Sequence, residues 1–301
     1  SKSLHSSLKS WLISSKSQSS QSTLVMAEIT SAIAEQLVNN KEKQIRFVMR
    51  ILFMIYVLLM TLPQINKLLV VALKPEWIHL KQNYSFTRMD DSLILYAIDN
   101  NPERALLQIG FGSEQTIRHF NEFLKKYKVH SVLHFGTSGG LSNDLNIGDI
   151  FLAHNITDGS SRIETLSEAT NSLTDNLQSK SIPTHAGDLF TSGQVLKNKN
   201  EKQKASADFS AMAVDMESFH IAKKCKEAGC DYISARGIFD TVNDNLEDIG
   251  EPYDKQGNLK ASTLAVNILK NPKLIFSLPG LKKRMDLINK NMRPVIEWYL
   301  S

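Results

Sequence analysis

From residue 66 onward the chain alternates short apolar runs with polar turns and with segments of helical period. "NKLLVVAL" (66–73), "SLILYAID" (92–99) and "RALLQIGFG" (104–112) are rich in Leu, Ile and Val. Runs of this length and composition read as strands buried on both faces. "SEQTIRHFNEFLKKYK" (113–128) instead places Ile117, Phe120, Leu124 and Tyr127 on one side of a helix. The pattern goes on with strands at 129–136 and 149–156, a polar, loop-like stretch at 157–180, and strand segments at 184–190 and 211–215. A helix at 216–229, a strand at 231–239, a helix at 260–270 and a last helix near 281–299 complete it. Repeated strand–helix–strand order predicts an α/β layered domain with a largely parallel sheet.

The first 65 residues break this pattern. Half of residues 1–22 are Ser, with Lys but no Asp or Glu among them, a composition expected to stay disordered. A modest helix is expected at 27–45. Ile51–Leu62 is apolar apart from Thr61; twelve residues are too few to span a bilayer as a helix. That segment, 49–65, fits an untidy leader, a signal or membrane anchor, or an extra packed element. The expected organisation is therefore a leader over 1–65 and one catalytic domain over 66–301, cytoplasmic, with secretion or membrane association through 49–65 as the alternative.

Charge and cysteines narrow the function. The net charge of +4 comes from the leader, which holds seven Lys/Arg and three Glu; residues 66–301 hold 28 basic and 28 acidic groups. An electrically balanced body offers no footprint for a nucleic-acid backbone. Cys225 and Cys230, the two cysteines of the chain, lack the second pair or the histidines of a zinc site, so they read as unpaired packing or surface cysteines.

In open α/β sheets the site lies at the carboxyl ends of strands. Glu76, Gly112, the "GTSGG" turn with Thr137, Ser138 and Gly139, then Glu217 and Asp240 all fall there. Asp240 leaves a buried strand, and burial should raise its pKa toward that of a general acid working near neutrality. Glu217 opens a helix, whose N-terminus favours an ionised carboxylate able to accept hydrogen bonds from a sugar diol. Glu76 could activate water. An acid, a sugar clamp and a water activator suit cleavage of a glycosidic bond. Singly these signals are weak: a Glu at a helix start is more often a cap, and a Gly-rich turn more often only a turn. His134, on an apolar strand, is more often a satisfied core histidine.

Together the segments "LLVVALKPEWIHL", "LLQIGFG", "VLHFGTSGGLSNDLNIGDIFLA", "HAGDLFTSG", "AVDMES" and "ARGIFD" resemble, in order, the nucleoside phosphorylase superfamily, above all its methylthioadenosine/S-adenosylhomocysteine nucleosidases. The tail from Asp254 onward is similar, more loosely, to the hopanoid-associated phosphorylase-like proteins, which act on an adenosyl lipid. The resemblance implies a three-layer αβα sandwich with a central mixed, largely parallel sheet. It implies that Glu76 positions water, Phe190 stacks on the base, Met216 underlies the ribose and Glu217 binds its hydroxyls. Asp240 would protonate purine N7, with Arg236 in support. It implies no metal or organic cofactor, and a homodimer or higher homo-oligomer.

Two departures bear on the reaction. The family's phosphate-binding arginine, two residues before the "GTSGG"-type turn, is replaced by His134, a conditional cation. The usual Ser before the catalytic Asp is replaced by Phe239. The expected function is hydrolysis of the N-glycosidic bond of a 5′-substituted adenosine-type nucleoside, with water as co-substrate. A phosphate-dependent phosphorylase and a non-catalytic storage or binding protein of the same fold are the alternatives.

Overall fold

The computed structural model describes residues 48–53, 62–110, 112–246 and 274–301, with the side chains of the last segment described from 279. Residues 48–53 are helical; the expected helices at 27–45 and 260–270 lie outside the described residues. Among them no helix is long and apolar enough to cross a membrane.

Ten strands form one sheet. β1 (Gln64–Val71), β2 (Phe86–Arg88), β3 (Ile94–Ile98) and β4 (Asn101–Gln108) make an open wing in the order β2-β3-β4-β1, which joins β5 (Lys128–Gly140). Beyond β5 the sheet closes on itself. β10 (Asp231–Asp240) pairs with both β5 and β6 (Ile150–Thr157). β6 then pairs with β8 (Thr184–Thr191), β8 with β9 (Ala213–Asp215), and β9 with β5 again. β7 (Arg162–Glu164) hangs on β6. Closure leaves the ring of β5, β10, β6, β8 and β9 without an edge, with the short β7 as an appended strand. It depends on the length of β5: residues 128–134 pair with β1, while Gly139 and Gly140 pair with β9. The glycines at 136, 139 and 140 are where the strand can bend between these partners.

The sheet is mixed, as expected, and its pairings divide evenly between parallel and antiparallel. Parallel geometry is less dominant than the strand–helix alternation suggests, because β2–β4 form a meander and the short β7 and β9 turn back on their neighbours.

Helices cover both faces, making three layers. On one face, Phe120 and Phe123 of α1 (Ser113–Lys126) and Phe219, Ile221 and Ala222 of α4 (Ser218–Ala228) pack against Leu68, Val70 and Val132. On the other, Leu173 and Leu177 of α2 (Ser167–Ser179) and Met292, Val295 and Ile296 of α5 (Leu274–Leu300) pack against Leu69, Leu133 and Ala235. α2 and β7 occupy the stretch that reads as a loop. The helix α3 (Lys199–Phe209) carries no sequence expectation at all. Ile288 of α5 lies directly on Gly237, where any side chain would collide with it.

Candidate active site

The turn after β1 is a short 3₁₀ segment, Lys74–Glu76, entered through Pro75. It folds the Glu76 side chain back under the sheet, where it is 4% exposed. Oε2 accepts from Leu73 N (2.8 Å), while Oε1 accepts from Thr137 N (2.8 Å) and Thr137 Oγ1 (2.9 Å). Burial raises the Glu76 pKa; these donors and the Arg236 charge oppose the rise. Gly136 is required here: a Cβ would lie 2.8 Å from Glu76 Oε1 and 2.9 Å from an Arg236 Nη1.

Arg236, on β10 directly beside Gly136 in register, is 1% exposed. Its Nη2 lies 2.7 Å from Asp215 Oδ2, donates to Ser218 Oγ at 2.6 Å, and sits 2.9 and 3.0 Å from the ring nitrogens of His134. Asp215, the last residue of β9, also accepts from Thr191 Oγ1 (2.8 Å) and Ser218 N (3.1 Å). Asp215 is therefore the buried counter-ion of Arg236. His134 is fully buried beside Tyr232 Oη (2.9 Å), and burial and then Arg236 hold its pKa well below the ordinary range. A neutral, sealed imidazole cannot serve as the conditional cation for phosphate; the core-histidine reading holds.

Glu217 stands at the N-cap of α4, and its Oε1 accepts from Gly112 N at 3.2 Å. Its expected ionisation is not what the environment favours. Burial first, then the neighbouring Asp215, push its pKa up to about 8, and one helix end does not offset both. Met216 beside it is half-buried.

Asp240 ends β10, with Gly139 opposite it across a bulge at Phe239. A Cβ on Gly139 would stand 3.1 Å from Asp240 Oδ2 and 3.2 Å from Val214 Cγ1. Asp240 is 6% exposed, and burial raises its pKa against the pull of Lys202. Lys202 of α3 is fully buried and its Nζ donates to Asp240 Oδ2. Phe239 is half-buried and its carbonyl accepts from Arg284 Nη1 at 3.1 Å. Phe190 pairs with Val214 in register and stacks on Phe209, ring centres 4.1 Å apart. Ser138 Oγ is buried with no hydrogen-bond partner among the described residues.

The strand segment Gly136–Gly139 is thus a seam. Glu76, Arg236, Asp215 and Glu217 gather at one end; Asp240, Lys202, Val214 and Phe190 gather at the other. Three strand residues span about 10 Å, the scale of a nucleoside. Sequence reasoning missed Lys202 and the structural role of Asp215. A signal for Lys202 existed only in its spacing to Ala205 and Phe209 along one face of α3, hidden among Lys197, Lys199 and Lys204.

Residues 83–269 match the family model of the phosphorylase superfamily. A DeoD-type purine nucleoside phosphorylase from an Exiguobacterium species is 26% identical over 120 residues, 36% of this chain and 51% of that protein, so the match spans about half of the relative. A 5′-methylthioadenosine/S-adenosylhomocysteine nucleosidase from Staphylococcus aureus is 21% identical over 178 residues, 53% of this chain and 78% of that protein. Among solved structures, a Helicobacter pylori futalosine hydrolase aligns with a TM-score of 0.59 at 16% identity, covering 77% of this chain and 98% of its own. A Helicobacter pylori 5′-methylthioadenosine/S-adenosylhomocysteine nucleosidase bound to butyl-thio-DADMe-Immucillin-A aligns with a TM-score of 0.57 at 17% identity, over 77% of this chain and 98% of its own. The structural likenesses establish the fold, and the family model covers more than half of the sequence. The chain belongs to the phosphorylase superfamily.

Proposed function

We propose that the protein is a purine nucleosidase that hydrolyses the N-glycosidic bond of an adenosine-type nucleoside carrying a 5′ substituent. The observation that carries this reading is the pair of buried carboxylates, Glu76 and Asp240, at the two ends of the Gly136–Gly139 seam, each with a raised pKa. In this reading the base lies on Phe190, and Asp240 delivers a proton to N7, making the purine a neutral leaving group. Glu217 receives the ribose hydroxyls above Met216, and its ionised form stabilises the positive charge that builds on the sugar. Three of the roughly four acceptor positions of Glu76 are occupied by Leu73 and Thr137. The remaining one is available to orient water, with Ser138 Oγ as a further partner.

Sealing of His134 supports water over phosphate as the nucleophile. The relatives of known name include both a phosphorylase and nucleosidases, so the co-substrate is the first thing to measure. Base release from methylthioadenosine, S-adenosylhomocysteine, adenosine and inosine should proceed without phosphate and fall at least 10²-fold in Asp240→Asn. Strictly phosphate-dependent release would replace this reading with a phosphorylase. No release from any of the four would point to a bulkier adenosyl substrate or to a binding protein.

A further inference from the structure

Lys202 is the one buried charged group near Asp240 that the mechanism above leaves without a task. A lysine is almost never fully buried unless it is paired, and this one is 0% exposed. Its Nζ donates to Asp240 Oδ2, to Thr241 O at 2.6 Å and to Asp244 O at 3.3 Å. An ammonium has three N–H donors; the three acceptors use them all, so the pocket is built for the charged form. The other ionisable groups nearby are engaged elsewhere. The Asp244 carboxylate accepts from Thr241 N, Thr241 Oγ1 and Arg284 Nη2. Arg284 is held by that carboxylate and by Phe239 O. Glu201, the preceding residue of α3, accepts from Lys197 N and Asn198 Nδ2.

Burial raises the Asp240 pKa and the ammonium in this contact opposes that rise, so whatever fraction of Asp240 the ammonium holds ionised has no proton of its own to give. We propose that Lys202 is the proton source behind Asp240, a positioning and relay residue of the reaction; this rests on the nucleosidase reading. As the bond from the sugar to N9 breaks, its electron pair moves into the purine and N7 becomes more basic. Asp240 passes a proton to N7 while the Lys202 ammonium passes one to Asp240, and Lys202 is left as a neutral amine. The water oxygen bonds to the sugar carbon, and its proton goes to Glu76. Glu76 then releases that proton to solvent, and Lys202 regains one from solvent when the purine leaves. The net change is one water, divided between sugar and base.

The test is kcat and KM for release of adenine from methylthioadenosine and adenosine between pH 5 and pH 9, with melting curves, for wild type, Lys202→Arg and Lys202→Met. Arginine keeps a cation against Asp240 but cannot surrender a proton. Lys202→Arg should hold KM near the wild-type value while kcat falls roughly 10²-fold or more. In Lys202→Met, Asp240 must carry its own proton, so turnover should persist at low pH and its alkaline limb should move down by at least about one pH unit. A kcat for Lys202→Arg within threefold of wild type, or an unmoved limb in Lys202→Met, would overturn the relay. If Arg cannot be accommodated and that variant melts early, the Lys202→Met profile decides alone. A wild type that releases no base at any pH sinks the nucleosidase reading and the relay together; an active wild type with unaltered variants sinks the relay only.

Discussion

Replacing Asp215 by Asn should cost more stability than any surface change, and the size follows from what Asn leaves behind. The two side chains of the Asp215–Arg236 pair are each 1% exposed. Asn keeps the shape and can still accept from Thr191 Oγ1 and Ser218 N, so packing and those bonds survive. What disappears is the charge opposite a guanidinium that has no access to water. Breaking a buried pair by removing one partner costs about 3–5 kcal/mol. Arg236 still has Glu76 and Glu217 within electrostatic reach, and Glu217, freed from the repulsion of Asp215, ionises more readily and takes over part of the role. The low end, about 3 kcal/mol, is therefore expected. For a folded body of this size that is a fall in Tm of roughly 6–12 °C. Urea unfolding should show a lower midpoint with an unchanged slope, since the surface exposed on unfolding is the same. Asp215→Leu combined with Arg236→Met should be more stable than Asp215→Leu alone, because no charge is stranded. A loss of Tm below about 2 °C in Asp215→Asn would refute the claim that this pair is a closed, mutually dependent unit.

Glu76→Gln should leave KM nearly unchanged and reduce kcat by roughly 10²–10⁴-fold, as seen in steady-state base release; a loss confined to KM would mean that Glu76 only binds. Gly136→Ala should lower both activity and stability, the latter by about 1–3 kcal/mol in denaturant titration, because the new methyl cannot fit against Glu76 and Arg236; wild-type melting would contradict the geometry. The Glu217 carboxyl goes from an ordinary 4.5 in the unfolded chain to about 8 in the fold. Its contribution is thus fully present below pH 4.5 and is lost as pH rises through 8. Glu217→Gln has no such titration, so the stability of wild type relative to this variant should fall by on the order of 3 kcal/mol between pH 5 and pH 9. A difference that stays flat over that range would place the Glu217 pKa near its ordinary value.

The parts of the site that could be read from the sequence are those tied to a change of pattern. Glu76, Glu217 and Asp240 each follow an apolar run, and a carboxylate at the end of a buried strand stands out against Leu and Val. Gly136–Gly140 stand out for the same reason. What could not be read is whatever depends on a partner distant in the chain. His134 on its strand looks the same whether it faces a ligand or the Arg236 guanidinium 102 positions away. The ionisation of Glu217 depends on Asp215 and on complete burial, neither of which a helix-start rule includes. α2 escapes because its inward stripe is only Thr170, Leu173 and Leu177, too few apolar residues to mark a helix within a polar stretch. Lys202 escapes because residue type alone cannot separate a buried lysine from the exposed lysines around it.

The balance of buried charge also bears on the choice between water and phosphate. Glu76, Asp215 and Glu217 lie at one end of the seam with a single guanidinium, and that guanidinium already serves Asp215, Ser218 and His134. At the other end, Lys202 has its three donors committed to Asp240, Thr241 and Asp244. A phosphate dianion bound there would enter a low-dielectric site with no uncommitted buried cation among the described residues to receive it. Water carries no charge and needs only acceptors to orient it, which Glu76 and Ser138 can supply. In the proposed hydrolysis, positive charge develops on the sugar carbon as its bond to the base breaks, at the end of the seam where Glu76 and Glu217 lie. Under the proposed hydrolysis, a carboxylate beside the sugar interacts more strongly with the developing positive charge than with the neutral bound substrate, so the site gains more from the transition state than from the ground state.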